Sequence, residues 1–193
     1  MPAPDPEAPP AAAGEPAPPD AVAASAPPTS TEARRRLMLL LYSVAIALYG
    51  LDRLTKFLVE HHFHHPTTLV PGVLQLQFTT NSGGAFGVFD GAVWLFLTAT
   101  LVVCAVIVFA SFNLPSPTIA VALGLVLGGA LGNLTDRAVR GTGFFGGHVV
   151  DFLAFAKNPE ARPVWPVFNL ADSAIVVGAA LILLASIRKS TGR

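Results

Sequence analysis

The sequence predicts an all-α integral membrane protein: four transmembrane helices with a small, extracytoplasmic, β-rich surface element. Composition is the first reason. Apolar residues make up 52% of the chain, charged residues only 12%, and mean hydropathy is +0.59. A soluble domain carries roughly 25% charged residues. The second reason is four apolar stretches near the ~20 residues that span a bilayer. The third is that the ionisable residues inside those stretches all fall towards one membrane level. Net charge is zero, so no field for a nucleic-acid partner is indicated. The single cysteine, Cys104, excludes an internal disulfide framework and a thiolate metal cluster, and reads as a small buried hydrophobe.

Residues 1–33 form a tail of Pro, Ala, Ser and acidic residues. Such a segment buries too little apolar area to offset its ordering entropy, so it is expected to be a disordered cytoplasmic tail. Residues 34–193 form the membrane domain. Arg34, Arg35 and Arg36 precede the first span, about 37–59. The triplet, the apolar run and the Ala45-x-Ala47 pattern imitate a signal peptide. The long tail and the continuation through Asp52, Arg53 and Lys56 into Phe57 argue for a span instead. The second span, about 92–112, is uncharged over Ala92 to Phe112. The third, about 118–139, is apolar until Asn133, Asp136 and Arg137, and follows a short Pro-containing turn. Gly124, Gly128 and Gly132 recur every four residues on it, a pattern for close helix packing. The fourth, about 167–187, is apolar apart from Asn169 and Asp172.

The basic residues before the first span and after the last place both termini in the cytoplasm, as an even number of spans requires. Between the first and second spans, Val73, Leu74, Leu76 and Phe78 partly alternate with Gln75 and Gln77. That reads as a strand or hairpin on the membrane surface. Residues 141–166 are rich in Gly and aromatics, and Trp165 and Phe144–Phe145 suit an interface.

On this topology the polar residues converge. Asp52 and Lys56 are i and i+4 and can pair near the outer end of the first helix. Asn133, Asp136 and Arg137 share the outer end of the third. Asn169 and Asp172 share the outer end of the fourth, and Asn81 and Asp151 lie on outer segments. An ionisable group in a span is costly and usually faces protein or water. No serine stands in a nucleophile elbow. The run His61–His62–Phe63–His64–His65 lacks HExxH and reads as interfacial loop rather than metal site. Paired carboxylates remain. Two neighbouring Asp side chains do not ionise together readily, so one serves as acid and one as base. Such a pair activates water against a carbonyl and needs no metal or other cofactor.

At these residues the chain resembles bacterial lipoprotein signal peptidase, signal peptidase II. The matching segments are Asp52 to Lys56 (DRLTK), Asn81 to Gly87 (NSGGAFG), Gly128 to Arg137 (GGALGNLTDR), Val149 to Phe152 (VVDF) and Phe168 to Ser173 (FNLADS). Any one alone is weak, but five occur in the family's order over roughly residues 37–188. The resemblance implies a membrane-embedded aspartic endopeptidase of the bacterial inner membrane with its site near the outer face. Its catalytic dyad would be Asp151 and Asp172. Asn81, Asn133, Arg137 and Asn169 would line the substrate site. Asp136 would support it by orienting Arg137 or its neighbours, and Asp52 and Lys56 would be a structural pair. The implied substrate is a diacylglyceryl-modified prolipoprotein, cut on the amino side of its lipidated cysteine. Membrane lipid is the other expected partner, and the protein is expected to be a monomer. Three features depart from the family: an expanded stretch from Arg140 to His148, Gly84 in place of the more usual Ala, and the tail. The rival reading is a small proton-coupled transporter using the Asp/Arg cluster, but the internal repeats usual in transporters are absent.

Overall fold

The computed structural model describes residues 30–82, 93–141 and 147–191. Most of the tail, the run from 83 to 87 with Gly84, and Phe144–Phe145 lie outside these residues. The expanded stretch is described except for 142–146.

Among the described residues, four α-helices and one small sheet make up the fold. Helix α1 runs Ser30–His62, α2 Val93–Ala110, α3 Pro117–Val139 and α4 Leu170–Thr191. All four are long and apolar enough to cross a membrane. Helix α1 has 33 residues, a length of about 50 Å against a hydrocarbon core of about 30 Å. It therefore outruns the apolar layer, which is why it tolerates the Arg triplet at one end and charges at the other. Helix α2 is apolar on every side, the pattern of a helix surrounded by lipid and protein rather than water.

The α2–α3 connection is a single 3₁₀ turn, Ser111–Asn113, then Leu114 to Ser116. Ser116 caps α3, its hydroxyl accepting from Ile119 N at 3.3 Å, and Pro117 opens the helix where its missing N–H costs nothing. Tyr42 and the buried Ser111 hydroxyl lie 3.1 Å apart, and Arg34 donates to Asn113 Oδ1. These contacts put the start of α1 beside the end of α2, so neighbouring helices alternate in direction.

Helix α3 is the central helix, packed on both α1 and α4. Its glycines make that possible. A methyl group on Gly128 would lie 2.6 Å from Ala45 O of α1, and one on Gly129 would lie 2.5 Å from Ala171 O of α4. Gly124 and Gly128 thus serve close packing on α1, while Gly132 faces the Asp52 carboxylate.

The sheet lies at one end of the bundle. Strand β1 (Thr67–Val70), β2 (Leu74–Asn81) and β3 (Val149–Phe155) pair antiparallel in the order β1-β2-β3. The hairpin between β1 and β2 turns at Gly72, whose φ of 75° suits glycine. This is the hairpin expected from the alternation, joined by a strand the sequence reading did not foresee. Leu76 faces Leu153 and Thr79 faces Asp151, so β2 carries one extra residue between them. Such bulges re-aim the side chains beside them. Here the neighbour is Asp151.

Candidate active site

Asp151, expected on an outer segment, stands within strand β3. Its strand is held from both sides. Val150 N donates to Asp136 Oδ2 of α3 at 3.3 Å, and Val150 O accepts from Asn169 Nδ2 at 3.2 Å. Phe168 closes the far edge: its carbonyl accepts from Phe152 N and Leu153 N, and its amide donates to Leu153 O.

Asp172 and Asn169 reach the site differently from expectation. The fourth helix starts at Leu170, not at 167, so Asn169 is its cap and not a member of a helical face. Asn169 Oδ1 accepts from Asp172 N at 2.9 Å, and Asp172 Oδ2 accepts from Asn169 N at 3.2 Å. This reciprocal capping box satisfies two amides that would otherwise lack partners. It also fixes Asp172 in the first turn, where the partial positive charge of the helix end suits a carboxylate.

Two asparagines connect the carboxylates. Asn133 Nδ2 donates to Asp172 Oδ1 at 2.8 Å, and Asn133 Oδ1 accepts from Asn169 Nδ2 at 3.1 Å. Asn169 Nδ2 also donates to Asp151 Oδ1 at 2.7 Å. Asn81, at the end of β2, donates to Asp151 Oδ2 at 3.1 Å. Asp151 is buried, and that burial, followed by the neighbouring Asp172 charge, pushes its carboxyl up to about 7. The two asparagine donors only partly offset this.

Both carboxylates line a cavity of about 300 Å³ with Asn81, Asn133, Arg137 and the aromatic residues Phe96 and Trp165. Arg137 is buried, its guanidinium 6.0 Å from the Phe96 ring centroid, a cation–π distance. Its Nη1 has no hydrogen-bond partner among the described residues. A buried donor of that kind beside a cavity is available to a bound ligand.

Asp136 does not line this cavity. Of Arg137 and the neighbours that it was expected to orient, it bonds to the neighbours. One residue apart on a helix is about 100° of rotation. Asp136 pairs with Lys56 at 2.9 Å, with Arg140 at 2.8 Å and with Arg53. Lys56 is fully buried and also pairs with Asp52 at 2.8 Å. Asp52 Oδ1 accepts from Ala171 N at 3.2 Å, and Arg140 pairs with Glu60 at 2.8 Å. This second network joins α1, α3 and α4 behind the cavity. It touches the cavity at one point, where Lys56 Nζ donates to Asn133 Oδ1 at 2.9 Å. That bond orients the Asn133 amide so that its nitrogen meets Asp172. The sequence reading paired Asp52 with Lys56 but did not foresee the reach to Asn133. His61 and His62 end α1, their rings against Phe57 O and Leu58 O, and Cys104 is half-buried in α2.

Comparison with known proteins finds related chains and a related fold. The family described as "Signal peptidase (SPase) II" matches residues 44–188. A lipoprotein signal peptidase of Desulfitobacterium hafniense is 39% identical over 152 residues, covering 76% of this chain and 91% of the relative. One from Streptomyces griseus is 44% identical over 156 residues, covering 80% and 76%. A bacterial membrane enzyme solved at 2.3 Å resolution superposes with a TM-score of 0.67 at 25% identity, covering 79% of this chain and 90% of that one.

Proposed function

Because the chain belongs to the signal peptidase II family, we propose that it is an aspartic endopeptidase that uses Asp151 and Asp172 to release signal peptides from diacylglyceryl-modified prolipoproteins. That the family removes signal peptides from lipoprotein precursors sets aside the transporter reading. One observation carries the assignment of the dyad. Two carboxylates, from a strand and from a helix N-terminus, line one cavity and are linked through two mutually hydrogen-bonded asparagines, Asn169 on Asp151 and Asn133 on Asp172.

Their surroundings suggest a division of labour. Asp151, whose carboxyl is pushed up to about 7 by burial and by Asp172, is the acid. Asp172, at the helix N-terminus and hydrogen-bonded by Asn133, is the base. Asp172 takes a proton from water as its oxygen attacks the scissile carbonyl carbon. Asp151 gives its proton to the carbonyl oxygen. Collapse of the tetrahedral intermediate breaks the C–N bond. The leaving nitrogen of the lipidated cysteine takes the proton held by Asp172, and a proton returns to Asp151 from the intermediate. The cycle balances with water as the only co-reactant. The free Nη1 of Arg137 is positioned to bind a substrate carbonyl, and Asn81 steadies Asp151.

Purified protein is expected to cleave a lipobox peptide carrying an S-diacylglyceryl cysteine, on the amino side of that cysteine. Asp151→Asn and Asp172→Asn are each expected to abolish cleavage while melting in detergent is retained. Activity in either well-folded variant removes that residue from the dyad.

A further inference from the structure

The ionic network behind the cavity makes two contacts that charge balance alone does not require. Asp52 Oδ1 accepts from Ala171 N at 3.2 Å, and Asp136 Oδ2 accepts from Val150 N at 3.3 Å. Ala171 is the residue before Asp172, and Val150 is the residue before Asp151. Each of these two carboxylates therefore holds the backbone one step ahead of one member of the dyad. Ala171 N lies in the first turn of α4, where the helix itself offers no acceptor. Val150 N lies on β3, an edge strand of the sheet, as does Phe152 N, which finds Phe168 O instead.

One cation ties the two carboxylates together. The Lys56 ammonium has three N–H groups and three oxygen neighbours: Asp52 Oδ2 at 2.8 Å, Asp136 Oδ2 at 2.9 Å and Asn133 Oδ1 at 2.9 Å. Asp52, Lys56 and Asp136 are all fully buried. Asp136 already has Arg53 and Arg140 on its other oxygen, so Lys56 is not needed to neutralise it. What Lys56 adds is the join between Asp52 and Asp136. A buried ion pair is by itself weak evidence for stability. Here its two ends land on the two segments whose separation sets the distance between the carboxylates of the dyad.

We propose that Lys56 is a positioning residue for the reaction: by drawing Asp52 and Asp136 onto one ammonium, it sets the spacing between the strand that carries Asp151 and the helix that carries Asp172. The inference rests on the peptidase reading above. Lys56 does not line the cavity and touches no substrate, so it acts on the chemical step and not on binding. A misplacement of about 1 Å costs on the order of a hundredfold in rate.

The test uses full-length protein in detergent and a lipobox peptide with an S-diacylglyceryl cysteine. The double variant Asp52→Asn/Lys56→Met removes one negative and one positive charge together. It leaves Asp136 with Arg53 and Arg140, and leaves an acceptor for Ala171 N. It is expected to melt near wild type and to keep its KM, while kcat falls by about tenfold or more. Repulsion between two carboxylates depends on their separation, so the bell-shaped pH profile of kcat should also change in width. Should the double variant misfold, Asp52→Asn alone must show the same loss of kcat, because it keeps Lys56 on Asn133 and Asp136 and removes only the pull on Asp52. Glu60→Gln is the control. Glu60 belongs to the same network through Arg140 but bonds to neither amide, so kcat should be retained. A folded variant with wild-type kcat, or with lower kcat and an unchanged pH profile, reduces Lys56 to a structural cation and overturns the proposal, leaving the peptidase reading intact. Wild-type protein that does not cleave the peptide overturns both.

Discussion

At the scale of single residues, the site is organised by amide orientation. An asparagine side chain donates from one end and accepts at the other. Asn133 accepts from Lys56 and so must turn its nitrogen towards Asp172. Asn169 accepts from its own helix and so must turn its nitrogen towards Asp151. The neutral side chains therefore fix the charged ones. Asp151 has a measurable consequence. Its carboxyl rises from the ordinary 3.8 to about 7, so the fold favours its neutral form. The associated stability is fully present below 3.8, declines as pH rises through the interval, and is lost once pH passes about 7. Asp151→Asn mimics the neutral acid at every pH. The melting temperature of this variant is expected to gain on wild type by a few degrees between pH 4 and 7 and to stay level above that. Paired melting curves in detergent across that range test this, and a difference that does not change with pH removes Asp151 as a neutral group in the folded protein.

At the scale of elements, helices were legible and junctions were not. Long apolar runs reveal spans, because a bilayer imposes a length. The four-residue glycine spacing revealed a packing face, and Gly124 and Gly128 do abut α1. The start of α4 was hidden, because Val167 and Phe168 are apolar and merge with the span. The signal that could have located it was Asn169 followed three residues later by Asp172, a capping pair. Strand β3 was hidden for a related reason. Val149 to Phe152 are all buried, so the strand shows no alternation to read. Asp136 and Arg137 were assigned one face because each is close to Asn133 in rotation. They lie on either side of it, and of these three residues Asn133 is the one bonded to both networks. The contact between α3 and α4 carries a prediction. A methyl on Gly129 would meet Ala171 O at 2.5 Å and Ile175 Cγ1 at 3.0 Å. Ala171 precedes Asp172, so relief of that clash shifts the carboxylate. Gly129→Ala is expected to cost about 1–3 kcal/mol of stability and to depress cleavage of the lipidated peptide. Gly50→Ala, with nothing within 4 Å of the new methyl, should change neither. Equal behaviour of the two variants in melting and cleavage contradicts this account of α3–α4 packing.

At the scale of the whole molecule, the two ends differ in kind. One end carries the sheet, both carboxylates and the Asp52–Lys56–Asp136 network. The other carries Arg34, Arg35 and Arg36 at the start of α1 and Arg188 near the end of α4. Between them the helices expose residues such as Ile46, Leu95 and Phe109, which suit hydrocarbon and not water. Basic residues near span ends favour the cytoplasmic side, and on that ground we propose that the sheet end is on the outer face. On that proposal the glyceryl end of a lipidated substrate would meet the carboxylates while its chains stay in the outer leaflet. This orientation is open to direct measurement. Replacing Cys104, the single cysteine, with Ala gives a background free of thiols. Thr68→Cys then places a thiol on the exposed strand β1, and Ser190→Cys places one on the exposed last turn of α4. A membrane-impermeant maleimide added to intact spheroplasts is expected to label Thr68→Cys and to leave Ser190→Cys unlabelled until the membrane is permeabilised. The reverse pattern would put the carboxylates on the cytoplasmic side, and a substrate anchored in the outer leaflet could not reach them.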